Sequence, residues 1–248
     1  NGSVERLLEL KRRITRALLA VVVGFAAVYP FKEKVFDFLA SPVNGVLASH
    51  PNWSMQLTHP AEGFVTYLKL SLLAGFLVAI PVVLYQFWAF VAPGLYKSER
   101  RLFFPVLLLS IFLFFFGAAF SFFLVFPLAF DFLLGFAGEQ LEANIKMNEY
   151  LGFSITLLLA FGASFQVPII CMVLTKLGIA TVEGMRAKRR YVFAGGFILA
   201  ALITPPDVVS QVLLGFPVWL LYELGILLSA RIRSRADEVA EESAGGEE

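Results

Sequence analysis

Six stretches of the chain are almost entirely apolar, and short polar turns separate them. They cover residues 14–31, 63–92, 102–131, 150–175, 191–203 and 208–230. A helix needs about 20 apolar residues to cross a hydrocarbon core ~30 Å thick. Four stretches meet this length comfortably, whereas the fifth allows only roughly 20 Å of helix at ~1.5 Å per residue. The pattern predicts an all-α integral membrane protein with six transmembrane helices, the last two short.

Prolines recur inside these stretches or at their edges, at Pro81, Pro105, Pro127, Pro168 and Pro217. Each removes a backbone donor and frees a carbonyl group, which lipid cannot satisfy. We therefore expect helices that are kinked by prolines and packed into a bundle with a concave face.

Two loops also carry structural signals. The apolar positions of residues 32–49 suit an interfacial helix, with a break at Ser41–Pro42. Residues 131–149 are long enough for a second structured cap. At the N-terminus, an apolar stripe that starts at Leu7 favours a retained helix over a cleaved signal sequence.

Most of the twenty Lys and Arg residues fall on one side of the predicted membrane. They precede the first stretch, separate the second from the third and the fourth from the fifth, and follow the sixth. The positive-inside rule then places both termini in the cytoplasm. Residues 1–235 form one transmembrane domain in this interpretation, and the acidic residues 236–248 form a disordered tail.

Composition narrows the class of function. Hydrophobic residues make up 58% of the chain and the mean hydropathy is +0.78, more apolar surface than a soluble core of this size buries. The formal net charge of +1 gives no indication of nucleic-acid binding. One cysteine and two histidines exclude an intrachain disulfide and the usual metal sites. Nucleotide-binding and hydrolase motifs are also missing, so we expect neither an enzyme nor a cofactor.

Glutamate residues that lie between Lys and Arg residues on the predicted cytoplasmic side are the main candidates for a functional role. Glu9 lies one helical turn before Arg13, and Glu99 follows Ser98 at a predicted helix start. Both acids have a structural explanation, an intrahelical ion pair for Glu9 and a helix N-terminus for Glu99. The functional alternative is that both carboxylates bind guanidinium groups of a partner, which they do bidentately.

Polar residues inside the apolar stretches suggest further sites. Gln166 needs hydrogen-bond partners from another helix or from water, and Thr204 and Gln211 flank a short turn from which each could bond to a neighbouring helix. Lys69 lies near a helix end and is expected to snorkel. Glu223 is either protonated or paired with a base near the cytoplasmic rim. A secondary transporter that uses Gln166 and Glu223 is the leading alternative function, and an intramembrane hydrolase is a weaker one.

Several motifs together resemble the TatC family, the receptor subunits of the twin-arginine protein translocase. They are Glu-Leu-Lys-Arg-Arg at residues 9–13, Gln-Phe-Trp-Ala-Phe-Val-Ala-Pro-Gly-Leu-Tyr-Lys-Ser-Glu-Arg-Arg at 86–101, Thr-His-Pro-Ala-Glu-Gly-Phe at 58–64, Phe-Gly-Ala-Ser-Phe-Gln-Val-Pro at 161–168 and Thr-Pro-Pro-Asp-Val-Val-Ser-Gln at 204–211. The similarity extends from Arg6 to about Arg231.

The resemblance implies a glove-like, non-enzymatic receptor in a bacterial inner membrane. It would bind twin-arginine signal peptides of folded cargo, assemble with the single-span subunits TatA and TatB and with further copies of itself, and depend on the proton-motive force. The implied residues are Glu9, Arg13, Phe90, Pro93, Leu95, Tyr96 and Glu99 for the signal peptide, Gln166 on the concave face, Thr204 and Gln211 for a partner helix, and Pro42 and Asp207 on the outer side.

Overall fold

The computed structural model describes residues 2–49, 51, 53–91, 100–136, 144–204 and 207–245, without the side chains of residues 2, 3, 100, 101 and 233–245. Its helices are α1 Gly2–Val28, α2 Lys32–Ala48, α3 Glu62–Val91, α4 Arg100–Phe120, α5 Phe126–Gly135, α6 Met147–Ser164, α7 Val167–Lys176, α8 Val182–Ala187, α9 Arg189–Ile203 and α10 Val208–Gly245. A 3₁₀ turn, Tyr29–Phe31, joins α1 to α2, and a π-helical turn, Ser121–Val125, joins α4 to α5. The strands are β1 Ser54–Gln56 and β2 Asn144–Lys146.

Among the described residues, five helical runs are long and apolar enough to cross a membrane. They are Val4–Ala48, Glu62–Val91, Leu102–Gly135, Met147–Lys176 and Val208–Ile232. The fifth predicted span corresponds to α9, which has 15 residues and measures about 22 Å. This helix is shorter than the hydrocarbon core, so its length alone does not make it a sixth span.

Helices α1 and α3 run antiparallel in close contact. A methyl group at Gly24 would lie 2.4 Å from the carbonyl oxygen of Gly75, and one at Gly75 would lie 2.4 Å from the backbone nitrogen of Phe25. Side chains such as these would separate the helices, so both positions require glycine at this crossing. Arg13 of α1 contacts Gln86 of α3 in the same register.

Aromatic side chains fill much of the interior. Phe122 in the π-helical turn stacks on Phe38 of α2 at a ring separation of 4.7 Å, and Phe130 of α5 contacts Tyr150 of α6 at 5.1 Å. The Tyr150 hydroxyl also donates to the backbone oxygen of Leu39, at 2.6 Å. These contacts hold α2 against the π-helical turn and α6, and α6 against α5.

The prolines fall at two kinds of position. Pro81, Pro105 and Pro217 lie inside α3, α4 and α10, whereas Pro127 and Pro168 lie in the first turns of α5 and α7. Pro168 follows a turn at residues 165–166, which divides the predicted span 150–175 into α6 and α7. Pro168 costs no intrahelical hydrogen bond, because an N–H in the first turn of a helix has no partner there. Pro127 instead lies within the continuous helical run Leu102–Gly135, just after the π-helical turn.

The predicted break at Ser41–Pro42 is wrong, since α2 continues through Pro42. Pro42 has no N–H to donate to the carbonyl oxygen of Phe38, four residues earlier. The Ser41 hydroxyl donates to that oxygen instead, at 2.7 Å. The neighbouring serine therefore satisfies the carbonyl group that the proline leaves open.

A small parallel sheet lies at the end of the bundle opposite the bases, and the all-α prediction did not include it. Ser54–Gln56 pair with Asn144–Lys146 in parallel. Glu62 braces this region, because it accepts from the backbone N–H groups of Thr58 at 2.5 Å and Asn148 at 3.1 Å. The carboxylate thus joins the loop before α3 to the start of α6.

The final helix differs from the predicted disordered tail. Its backbone remains helical to Gly245, over residues that we expected to be unstructured beyond 235. Ala and Glu, which are frequent in this segment, have high intrinsic helix propensity.

Candidate functional site

A carboxylate, a guanidinium group and an amide meet where α1 and α3 lie side by side. Arg13 donates from Nε at 3.0 Å and from Nη2 at 2.7 Å to Oε1 of Glu9. Its Nη1 donates to Oε1 of Gln86 at 3.3 Å. The Arg13 side chain is 16% exposed, whereas that of Glu9 is 44% exposed. The predicted ion pair within the helix is confirmed, and it holds Glu9 at the surface.

The register of α1 and α3 relates Glu9 to the next part of the predicted site. With Gly24 beside Gly75 and Arg13 beside Gln86, the antiparallel register brings Glu9 level with Phe90. Phe90 is half-buried and precedes the last residue of α3. The connection from α3 to α4 therefore starts at the level of Glu9. Four predicted residues of this connection lie outside the described residues, namely Pro93, Leu95, Tyr96 and Glu99.

An apolar groove of about 700 Å³ runs between α1, α3 and α6 and starts one residue beyond Arg13. Its lining residues come from all three helices: Ile14, Ala17, Leu18, Val21, Lys69, Leu72, Leu73, Phe76, Val83, Gly152, Ile155, Thr156 and Leu159. Lys69 is the basic residue among them, and its Nζ donates to Oδ1 of Asn148 at 3.0 Å. The ammonium group thus reaches the end of the bundle that carries the small sheet, as expected of a snorkelling lysine.

Gln166 has the partners from another helix that we predicted. Its Nε2 donates to the backbone oxygen of Ser110 at 3.0 Å, and its Oε1 accepts from the Ser110 hydroxyl in a short hydrogen bond. The same hydroxyl oxygen accepts from Nε1 of Trp88 at 2.9 Å. All three side chains are buried.

This network fixes the position of the Gln166 amide. The amide lies between α3, α4 and the start of α7, and it does not line the apolar groove. Sequence reasoning missed Ser110, because a single serine in a long apolar stretch gives no signal of its own. Only its two partners from distant segments make it part of a network.

The turn between α9 and α10 carries three predicted residues with different roles. Gln211 donates from Nε2 to the backbone oxygen of Phe197 at 3.1 Å, so its predicted bond to a neighbouring helix is confirmed. Thr204 instead donates to Ala200 of its own helix, at 2.7 Å. Asp207 caps α10 by accepting from the backbone N–H of Ser210 at 2.6 Å.

Glu223 of α10 pairs with a base, one of the two states that the sequence left open. Nη2 of Arg189, the first residue of α9, lies 2.7 Å from Oε2 of Glu223. The carboxylate side chain is 20% exposed. The ion pair therefore joins the start of α9 to the middle of α10.

Comparison with known proteins agrees with the motifs. The family profile described as Sec-independent protein translocase protein (TatC) matches residues 5–217. A TatC protein of Desulforapulum autotrophicum is 44% identical over 240 residues, which cover 97% of this chain and 88% of the relative. The TatC protein of Escherichia coli K12 is 40% identical over 227 residues, covering 91% and 87%.

A solved structure gives the same result for the fold. The crystal structure of a twin-arginine translocase receptor, TatC, superimposes with a TM-score of 0.81 at 40% sequence identity, and it covers 91% of this chain and 98% of its own. These matches indicate a multi-pass membrane protein with a role in protein transport, and they do not favour the small-solute transporter. The chain belongs to the TatC family of Sec-independent protein translocase components.

Proposed function

We propose that this chain is the signal-peptide receptor of a twin-arginine translocase. The observation that carries the proposal is the position of Glu9, a 44% exposed carboxylate five residues before Ile14, the first residue of the same helix that lines the apolar groove. A twin-arginine signal peptide has matching chemistry, because its guanidinium groups precede an apolar stretch. Glu99 would supply the second carboxylate.

The contacts of Arg13 explain how Glu9 is held ready and then released. Arg13 donates two charge-assisted hydrogen bonds to Oε1 of Glu9, and each bond of this kind contributes about 1.5–3 kcal/mol. An incoming arginine would make bonds of the same kind to the exposed part of the carboxylate or would replace those of Arg13, which keeps its contact with Gln86. Lysine lacks the planar fork of donors and would bind more weakly.

The groove would then hold the apolar stretch of the signal peptide. On α3 its lining residues extend from Lys69 to Val83, a distance of about 21 Å along the helix. A helical apolar segment of about 14 residues fits this length. The walls are apolar over most of this length, so burial of a charged side chain of that segment in the groove would be energetically unfavourable.

Orientation and partners complete the proposal. Both termini would face the cytoplasm of a bacterial cell, with α9 as the short fifth of six spans of the inner membrane. TatA and TatB would dock at the turn near Thr204 and Gln211, where Leu202 is 78% and Val208 is 74% exposed. The complex would contain several copies of this chain. The proton-motive force would supply the work, since a membrane potential gives ~2.3 kcal/mol per charge per 100 mV.

The experiment compares signal-peptide affinities for the purified chain. Glu9→Gln should weaken binding of a twin-arginine peptide by about 10- to 100-fold, which corresponds to the loss of one charge-assisted hydrogen bond. Glu5→Gln, on the exposed first turn of the same helix, is the matched control and should leave affinity unchanged.

A twin-lysine peptide provides the second comparison. It should bind the original chain weakly, and Glu9→Gln should weaken it less than the arginine peptide. If Glu9→Gln binds the twin-arginine peptide as tightly as Glu5→Gln does, Glu9 serves only its own helix and the proposal fails.

A further inference from the structure

A second pocket lies where α9 begins, at the end of the bundle that carries the bases. Its volume is about 540 Å³, and Arg189, Arg190, Phe193, Trp219 and Glu223 line it. Small-molecule sites typically have volumes of ~300–1,000 Å³. The pocket combines two guanidinium groups, one carboxylate and two aromatic rings, so it offers sites for both signs of charge.

Only one of the two carboxylate oxygens of Glu223 has a partner within the described part of the chain. Oε2 contacts Nη2 of Arg189 at 2.7 Å. Oε1 is buried and has no hydrogen-bond partner among the residues that the structure describes. Buried acceptors are nearly always hydrogen-bonded. Oε1 therefore lacks an N–H or O–H donor, and a ligand bound beside Glu223 in the pocket would supply one.

The two arginines supply the opposite kind of group. Arg190 contacts its neighbour Tyr191, with Nη2 3.1 Å from the hydroxyl oxygen and the guanidinium carbon 4.9 Å from the ring centroid. Arg189 uses one nitrogen for Glu223, and a guanidinium group carries five N–H donors. Both residues retain capacity for a phosphate group, which guanidinium binds through paired hydrogen bonds.

The aromatic rings place the pocket at the membrane surface. Phe193 and Trp219 meet edge to face at a ring separation of 6.0 Å, one helical turn deeper than the arginines on α9. Aromatic rings concentrate at the boundary between headgroups and hydrocarbon. An apolar platform next to paired charges matches a ligand with a charged head and an acyl tail.

We propose that this pocket binds the headgroup of a zwitterionic phospholipid that carries a primary ammonium group. The phosphate contacts Arg189 and Arg190, the ammonium donates to Oε1 of Glu223, and the glycerol region lies on Trp219 and Phe193. The site is separate from the signal-peptide groove and does not depend on the receptor function. A choline headgroup has no N–H and cannot make the bond to Glu223.

The test measures how many lipid molecules the purified full-length chain retains, by native mass spectrometry in detergent. Phosphatidylethanolamine, its N-methyl and N,N-dimethyl forms and phosphatidylcholine are added in turn with identical acyl chains. We expect several-fold higher retention of phosphatidylethanolamine than of phosphatidylcholine, with the largest drop on loss of the last N–H. This series needs no substitution, so it does not depend on the folding of a variant.

Two variants assign the retention to the pocket. Glu223→Gln should remove the preference for phosphatidylethanolamine over phosphatidylcholine. Arg190→Gln leaves the Arg189–Glu223 pair in place and should lower the retention of all these lipids. Lys146 and Glu149 form an exposed ion pair at the opposite end of the bundle, with a separation of 3.3 Å. Lys146→Gln and Glu149→Gln are therefore matched controls and should retain lipid like the original chain.

Three results would overturn the proposal. Equal retention of phosphatidylethanolamine and phosphatidylcholine would show that Glu223 does not bind the ammonium. Higher retention of phosphatidylglycerol would make the pocket a simple anion site. Displacement of the lipid by free phosphoethanolamine at equal concentration would indicate a soluble ligand, because a lipid gains additional affinity from its acyl chains.

Discussion

The glycine crossing of α1 and α3 gives the prediction that the structure specifies most closely. In Gly75→Ala, the new methyl carbon would lie 2.4 Å from the backbone nitrogen and 2.7 Å from Cα of Phe25. Ordinary contacts of such a carbon begin at 3.4 Å, so α1 must move by about 1 Å. Every atom in the way belongs to the backbone, and no rotation of a side chain relieves the contact. Overpacking of this kind costs about 1–3 kcal/mol.

Alanine also stabilises a helix relative to glycine, by about 1 kcal/mol, and a control must remove this contribution. Gly195 of α9 serves this purpose, because a methyl group there meets no atom within 4 Å. The assay is equilibrium unfolding in mixed micelles, followed by loss of helical circular dichroism. We expect Gly75→Ala to be less stable than Gly195→Ala by about 1–3 kcal/mol.

A double variant tests whether one displacement explains the cost. Gly24→Ala brings its methyl group within 2.4 Å of the Gly75 oxygen, and it forces the same two helices apart. The double variant should therefore cost less than the sum of the two single variants, as expected for coupled sites. If Gly75→Ala and Gly195→Ala differ by less than ~0.5 kcal/mol, within the error of additivity, the close crossing does not limit stability.

Three further predictions concern individual side chains. Ser110→Ala leaves Trp88 Nε1 and the Gln166 amide oxygen without their buried partner and should reduce the free energy of unfolding by about 1–3 kcal/mol; Ser164→Ala, which loses only a bond to its own helix, should cost less. Asp207→Ala should destabilise α10 by about 0.5–2 kcal/mol, because the helix loses its N-terminal cap. Asp207→Asn should keep most of the capping stabilisation, and thermal unfolding of the two variants would measure the difference. Photo-crosslinking from position 99 should capture a twin-arginine peptide but not its twin-lysine form, and equal labelling by both would remove Glu99 from the proposed site.

Features that depend on neighbours in sequence were predictable. Apolar stretches located the long helices, and spacing of four residues located the Glu9–Arg13 pair, because both follow from the periodicity of a single helix. The break at Ser41–Pro42 was predicted wrongly, since the rule for proline does not include a hydroxyl one residue earlier that satisfies the open carbonyl.

Features that depend on which helices meet were not predictable. The sequence showed that the Gln166 amide needs a partner, but it did not identify Ser110, which lies 56 residues away. Thr204 was expected to reach a neighbouring helix and bonds to its own instead. In both cases more than one partner would satisfy the polar side chain, and the packing of the bundle determines which partner it meets.

The small parallel ladder has a consequence for the order of folding. Ser54 and Asn144 lie 90 residues apart in sequence, yet their side chains contact each other at 3.2 Å. Pairing of such distant strands carries a large entropy of loop closure and gains little until the intervening helices are in place. We therefore expect the ladder to form only after α3, α4 and α5 have been inserted, so that protection of its amide protons from exchange would report the completion of membrane insertion.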